Sequence, residues 1–249
     1  MRVSLSWLSG CSFQLFPGRC ILCQSRTHRA LDLCLACEHD LPRVSKPCHR
    51  CGLSLLSQAP GHQHYCGPCL VTPPQFDLSY SAFSYAAPVR QLITEFKQHQ
   101  KMVVGEVLGQ LLARSYREHI LTRGSQQQVS KPDLLLPMPL HASRLKLRGF
   151  NQAETIARVV SLQTDVAVDS QTCRRIKQTH DQKGLTAKDR RNNVKDAFEV
   201  TRTLQGLHVA IVDDVMTTAA TVSALSLTLR RAGASFVEII ALARTPAPK

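Results

Sequence analysis

Four Cys-x-x-Cys pairs lie within the first 70 residues, and no other feature constrains this part of the fold more. The segment has little helical or strand periodicity and cannot form much of a hydrophobic core, so it needs cross-links such as disulfides or metal ions to fold. A Cys-x-x-Cys turn brings two thiols to one side of a tight bend, and two such turns complete a tetrahedral zinc site. The sequence therefore predicts two structural Zn²⁺ ions, whose ligands are Cys20, Cys23, Cys34, Cys37, Cys48, Cys51, Cys66 and Cys69.

The spacing of these pairs leaves two questions open. Sequential pairing, first with second and third with fourth, is the simpler arrangement, but an interleaved cross-brace is also compatible with the spacing. A disulfide framework fits an even number of cysteines too. Disulfides need an oxidising compartment, and the apolar stretch at residues 3–8 is shorter than the ~7–15 residues of a signal-peptide core. Zinc in a cytoplasmic protein is therefore favoured.

The positions of the cysteines also predict the domain boundaries. Nine of the ten cysteines precede residue 70, and strand and helix patterns alternate after it. We expect a short leader helix at residues 1–18, a double zinc ribbon at 19–75 and an α/β domain at 76–249.

The expected α/β domain contains apolar strand patterns separated by amphipathic helix patterns. Strands are expected at residues 80–86, 134–138, 207–212 and 236–243, and helices at 88–97, 103–121, 151–163, 186–197 and 221–231. Such alternation predicts a mostly parallel sheet covered by helices on both faces.

The charge balance favours anionic partners. The chain has 31 Lys and Arg against 18 Asp and Glu, a formal net charge of +13. A surplus of this size suits nucleic acid, nucleotides or pyrophosphate, although a basic surface that only confers solubility is the plainer alternative. No apolar run reaches the roughly 18 residues of a membrane-spanning helix, so we expect no membrane span.

The stretch VAIVDDVMTTAAT begins at Val209 as a buried-strand pattern and runs into two adjacent carboxylates, Asp213 and Asp214. Ligands of open α/β sheets bind beyond the carboxyl ends of strands, where carboxylates accept hydrogen bonds from ribose hydroxyls. The hydroxyls and N–H groups of the helix start that follows suit a phosphate. A purely structural turn with a threonine N-cap is the alternative.

This stretch resembles the phosphoribosyl-pyrophosphate (PRPP) binding motif of type I phosphoribosyltransferases. The chain as a whole resembles the ComF family of competence and DNA-utilisation proteins, including its GntX branch. The resemblance covers nearly the whole length and rests on LFPGRCILC, the four cysteine pairs, FKQHQK, PMPLHASRLKLRGFNQA, THDQKGLTAKDRRNNVKDAF and VDDVMTTAAT, in that order. It implies a type I phosphoribosyltransferase-like sheet after a double zinc ribbon.

The resemblance also implies site residues, with Mg²⁺ accompanying PRPP. Asp213 and Asp214 hold the ribose hydroxyls, and residues 182–191 correspond to a basic loop near the ligand. The 5′-phosphate is surrounded by Thr217, Thr218, Ala219, Ala220 and Thr221, and the pyrophosphate side by Arg144, Arg148 and Asn151. Guanidinium forks suit pyrophosphate oxygens on chemistry alone. No catalytic residue is assigned; Glu154 and His180 are general-base candidates only through nearness to the motifs.

The sequence departs from the family at Ala219, where a glycine is usual. If that residue takes a left-handed conformation, alanine costs roughly 1–2 kcal/mol, and its methyl crowds the phosphate. Tight binding and transferase activity are therefore in question.

Two functions remain open from the sequence. The resemblance implies a role in the uptake or processing of single-stranded DNA, bound through its phosphate backbone, with DNA-uptake or recombination proteins as partners. The alternative is an active phosphoribosyltransferase that joins a nucleobase or similar acceptor to PRPP and releases pyrophosphate.

Overall fold

The computed structural model describes residues 18–55, 64–127, 130–178, 194, 196–217 and 219–247. Four of the sequence-based predictions lie wholly or mostly outside these residues: the leader helix, the basic loop at 182–191, His180 and Thr218. The predicted helix at 186–197 is also mostly outside. Of its described residues, Val194 is helical as predicted, whereas Asp196 lies in a turn and Ala197 has no regular structure.

The cysteine-rich segment contains only short elements. Strands β1 (Gly18–Arg19) and β2 (Arg26–Thr27) pair antiparallel, and helices α1 (Leu35–His39) and α2 (Gly67–Val71) each begin directly after a cysteine. Leu31, Leu33 and Leu41 are buried here. Backbone and side-chain contacts then connect the segment to the rest of the chain.

The larger part is built on a five-stranded sheet in which every pairing is parallel. Its order is β3-β9-β8-β4-β5, formed by β3 (Leu78–Ser84), β9 (Phe236–Arg244), β8 (His208–Met216), β4 (Leu134–Pro137) and β5 (Ala167–Val168). A central parallel strand is buried on both faces and is therefore apolar along its length. Residues 209–212 of β8 are fully buried, as expected.

Helices cover both faces of this sheet, which confirms the predicted architecture. Ala210 and Val212 point to a core shared with α3 (Val89–His99), α4 (Met102–Gln127) and α6 (Gln152–Thr164). Val209 and Ile211 point to a second core, which includes α7 (Ala220–Arg231). The alternation follows from the two-residue period of a strand.

Three features differ from the sequence prediction. Strand β8 continues to Met216, so Asp213 and Asp214 lie within the strand and not after it. A short helix, α5 (Ala142–Arg148), occupies the basic RLKLR segment. Strands β6 (Cys173–Arg175) and β7 (Phe198–Val200) form a separate antiparallel pair. In the described part of the chain, no helix combines the length and apolarity that crossing a bilayer requires.

Candidate functional site: a basic cleft beside two cysteine clusters

The eight paired cysteines form two clusters of four. In each, the sulfur atoms lie within 4.8 Å of one another, and the members are Cys20, Cys23, Cys34 and Cys37 in the first and Cys48, Cys51, Cys66 and Cys69 in the second. Sequential pairing is therefore confirmed and the cross-brace is excluded. The Sγ atoms of Cys23 and Cys34 are 3.7 Å apart, well beyond a disulfide bond of about 2.05 Å.

The donor set fits Zn²⁺. Four sulfurs at these separations surround a centre at the roughly 2.3 Å of a Zn–S bond. Backbone N–H groups of Cys37 and Cys66 donate to sulfurs of their own clusters, at 3.4 and 3.3 Å, which favours the thiolate form that metal binding needs. Four thiolates saturate each site and leave no coordination position open, so a bound ion would have a structural role.

The second cluster supports the end of β8. Arg244 is buried and donates from Nε to the Cys51 carbonyl at 3.0 Å. Its Nη1 donates to the carbonyls of Met216 and Thr217 at 3.0 and 2.6 Å. One guanidinium therefore connects a zinc-ligand turn to the loop that was predicted to hold a phosphate.

A cleft of about 250 Å³ opens above the carboxyl end of β8. Most of the residues that the sequence suggested for a ribose-phosphate site line it, namely Asp213, Asp214, Thr217, Thr221, Arg144, Arg148 and Asn151. Ala219 and Ala220 begin α7 but do not line the cleft. The topology thus brings residues from β8, α5 and α6 to one place.

The two aspartates differ in their surroundings. Asp214 is buried, and its Oδ2 lies 2.7 Å from Lys97 Nζ. Asp213 accepts the backbone N–H of Asp214 at 2.8 Å. Burial, followed by the negative charge of Asp214, raises the pKa of Asp213 to about 7. Asp213 is therefore partly protonated near neutral pH.

The cleft is also lined by basic side chains, and some of its polar side chains already make hydrogen bonds within the protein. Arg148 Nη1 donates to Gln152 Oε1 at 2.6 Å. Asn151 caps α6: its Oδ1 accepts the N–H of Ala153, and its Nδ2 donates to the Met138 carbonyl, both at 3.1 Å. The side chain of Asn151 thus holds the start of α6 in place, while Arg144 and Arg148 carry the charge.

Lys97 and Arg175 also line the cleft and were missed as site residues. Lys97 lies in the FKQHQK motif, to which no role was assigned, and follows the fully buried Phe96 in the last turn of α3. Arg175 is the last residue of strand β6. Burial, followed by the charge of Arg144, lowers the pKa of Arg175. Both residues are far from Asp213 along the sequence, so no local pattern indicates that they lie at the same site.

Two predictions need correction. Glu154 lies outside the cleft and pairs with Arg158 at 2.6 Å, so its position gives no support to a role as general base. Ala219 has φ −68° and ψ 0°, in the right-handed region. The expected penalty for a left-handed alanine therefore does not apply.

Comparisons with known proteins find relatives that match most of the chain. Residues 13–70 match the family model described as a double zinc ribbon domain. Over 233 residues the chain is 34% identical to competence protein F of Haemophilus influenzae, covering 92% of this chain and 98% of that protein. The DNA utilization protein YhgH of Salmonella typhi is 33% identical, with the same coverage.

Solved structures show only remote likeness. A purine phosphoribosyltransferase from Pyrococcus horikoshii has a TM-score of 0.33 and 17% identity, over 55% of this chain and 70% of that one. The glutamine PRPP amidotransferase of B. subtilis has a TM-score of 0.34 and 18% identity, over 54% of this chain and 25% of that one.

Proposed function

The chain belongs to the family of competence protein F and the DNA utilization protein YhgH, and from this membership we propose that it acts in the uptake or processing of single-stranded DNA, in natural competence or in the use of DNA. The observation that carries the proposal is an alignment that spans 98% of both relatives. A cytoplasmic location suits zinc thiolate sites, because thiols stay reduced there.

We propose further that the cleft binds PRPP. The carboxylates of Asp213 and Asp214 suit the two ribose hydroxyls, and the guanidinium groups of Arg144 and Arg148 suit the pyrophosphate. Hard oxygen donors also suit Mg²⁺. A Mg²⁺ ion bound with PRPP supplies positive charge beside the aspartates, which are adjacent and repel each other.

The start of α7 supports a phosphate site. Ala219 has no side-chain acceptor and does not cap this helix, and the helix dipole favours an anion at this end. Thr217 and Thr221 line the cleft. Thr218 and the basic loop at residues 182–191 are proposed to contribute as well, and they lie outside the described residues.

Single-stranded DNA is the proposed macromolecular partner, bound through its phosphates. A net charge of +13 supports this, because Lys and Arg that neutralise phosphates give affinity without base readout. DNA-uptake or recombination proteins are the proposed protein partners. The alternative of an active transferase is not favoured, since the relatives are described by competence and DNA utilization, and the general-base candidate Glu154 lies outside the cleft.

Two measurements test the proposal. The first compares the melting temperature with and without PRPP and Mg²⁺, and the second measures the affinity for single-stranded DNA at increasing salt concentration. Ligand that binds the folded state raises the melting temperature, and the double variant Asp213→Asn/Asp214→Asn should abolish the rise. Asp40→Asn, at an exposed aspartate that does not line the cleft, should retain the rise. Affinity for single-stranded DNA should fall steeply with salt. An unchanged rise in the double variant contradicts the PRPP site, and a salt-independent affinity contradicts phosphate tracking.

A further inference from the structure

A second cavity, of about 220 Å³, lies between the second cysteine cluster, strand β3 and helix α4. It shares no lining residue with the basic cleft. Arg43 and Gly52 contribute from the cysteine-rich segment, Ser79 and Ser81 from β3, and His119 from α4. Gly52 has φ +66°, and a Cβ there would lie 3.2 Å from Ser79 Oγ, so the glycine lets the turn approach these hydroxyls closely.

Three polar atoms of this cavity are buried without a hydrogen-bond partner in the described part of the chain: Ser79 Oγ, Ser81 Oγ and His119 Nε2. Ser79 is only 9% exposed. A buried donor or acceptor left unpaired is costly, and native proteins contain few of them. Three in one cavity therefore indicate a surface built to receive the hydrogen-bonding groups of something else.

The size of the cavity limits what it receives. A single bridging water needs only about 10–15 Å³ of such space, far less than is present. Sites for drug-sized ligands hold about 300–1,000 Å³. A group of intermediate size, such as one heterocyclic ring system, fits between these limits.

Apart from the zinc-ligand thiolate of Cys48, the residues inside the cavity are uncharged, and the rim is cationic. Burial lowers the pKa of His119 to about 4 and also raises that of Tyr80, so both are neutral at pH 7. Arg43 is exposed, with its guanidinium 4.8 Å from the centre of the Phe83 ring. An anion placed inside would lose its hydration without a buried cation to pair with. The interior therefore suits a neutral polar ring, and the rim suits an anion.

We infer that this cavity binds a nucleotide, with the base against Ser79, Ser81 and His119 and the phosphate at Arg43. Base edges present both donors and acceptors, and hydroxyl and imidazole groups match either. The nucleotide is either free or part of a single strand; only the second source rests on the proposed DNA function. Neither source depends on PRPP binding in the basic cleft.

The test is calorimetric titration of the full-length, zinc-loaded chain that carries Arg144→Gln and Arg148→Gln, which remove the proposed phosphate-binding guanidinium groups from the basic cleft. Deoxynucleoside monophosphates should bind. Deoxyribose 5-phosphate and inorganic phosphate lack the base, and they should bind at least about tenfold more weakly. Ser79→Ala and His119→Leu should each weaken nucleotide binding by about tenfold. Ser161→Ala, a half-buried serine of α6 outside both cavities, should leave it unchanged.

A second readout separates binding from folding. Because Ser79→Ala removes an unpaired buried hydroxyl, the melting temperature should stay the same or rise while affinity falls. A short single-stranded oligonucleotide then identifies the source: weaker binding in both variants supports a nucleotide of the strand, and an unchanged affinity supports a free nucleotide. Absence of nucleotide binding, equal binding of inorganic phosphate, or full affinity in both variants would overturn the inference.

Discussion

Lys97 Nζ lies 2.7 Å from Asp214 Oδ2 and joins the last turn of α3 to strand β8. Both side chains are largely shielded from solvent, with 27% and 12% exposure. The pair offsets the charge of one carboxylate at a place where two adjacent aspartates repel each other. Lys97 therefore has two roles: it stabilises the folded cleft, and its charge partly offsets the rise in the pKa of Asp213.

Replacing Lys97 with methionine should lower the free energy of unfolding by about 1–3 kcal/mol at pH 8, because Asp214 is then left partly buried without its partner. The loss should shrink towards pH 5, because Asp213 is then protonated and Lys97 no longer offsets two carboxylate charges. Urea unfolding at the two pH values measures it. Lys101→Met breaks the exposed pair with Glu95 and should cost less than about 0.5 kcal/mol; equal losses in both variants would contradict the role of Lys97.

Asp213→Asn should stabilise the chain above neutral pH. Burial, and then the charge of Asp214, raise the pKa of Asp213 to about 7 from an ordinary value of 3.8. Between these values the folded state binds the extra proton, so stability falls as pH rises from about 4 to 7. The variant lacks this loss, and at pH 8 its melting temperature should exceed that of the wild type by about 2–4 °C, or roughly 1 kcal/mol. A gain that is the same at pH 5 and pH 8 would exclude this origin.

The sequence predicts those parts of the site that depend on local pattern, and it misses those that depend on packing. The apolar run of β8 followed by Asp213 and Asp214 is local, because a buried strand must be apolar and its end faces the ligand side of the sheet. Lys97 reaches Asp214 only because α3 packs on the sheet beside β8. The second cavity forms only when the turn at Gly52 packs against β3. Neither contact leaves a periodic signal in the sequence.

Ala219→Gly should leave PRPP affinity within about threefold of the wild type. The φ of −68° shows that no left-handed conformation is imposed on this residue, so glycine relieves no backbone strain. Ala219 also does not line the cleft. Calorimetric titration with PRPP and Mg²⁺ compares the two proteins. A glycine variant that binds more than tenfold tighter would show that the alanine methyl obstructs the phosphate.

Each cysteine cluster should hold one Zn²⁺ ion independently. Elemental analysis of the purified chain should give two zinc ions, and Cys20→Ser should give about one, because three thiolates bind zinc much more weakly than four. The control is Cys173→Ser, whose buried thiol belongs to neither cluster; it should retain both ions. A value of zero or one for the wild type would contradict the two-site assignment.

Glu238→Gln should be among the most destabilising substitutions that preserve side-chain shape. Glu238 is fully buried, and its Oε2 lies 2.7 Å from Arg123 Nη1 and 3.1 Å from His208 Nε2, while Tyr116 donates to Oε1. Glutamine removes the charge opposite the buried Arg123 guanidinium, so the free energy of unfolding should fall by about 3–5 kcal/mol. Glu95→Gln, at an exposed pair with Lys101, should cost less than about 0.5 kcal/mol.

The pH dependence of this loss identifies its origin. Although burial opposes ionisation, hydrogen bonding by His208 and the charge of Arg123 lower the pKa of Glu238 below its ordinary value of 4.5. The stabilisation is therefore complete above about pH 4.5 and is lost as pH falls through the lower, folded-state pKa. Because the glutamine variant cannot titrate, the gap between the two unfolding curves should narrow progressively as pH falls below about 4.5. A gap that persists unchanged to pH 3 would assign the loss to packing and not to the ion pair.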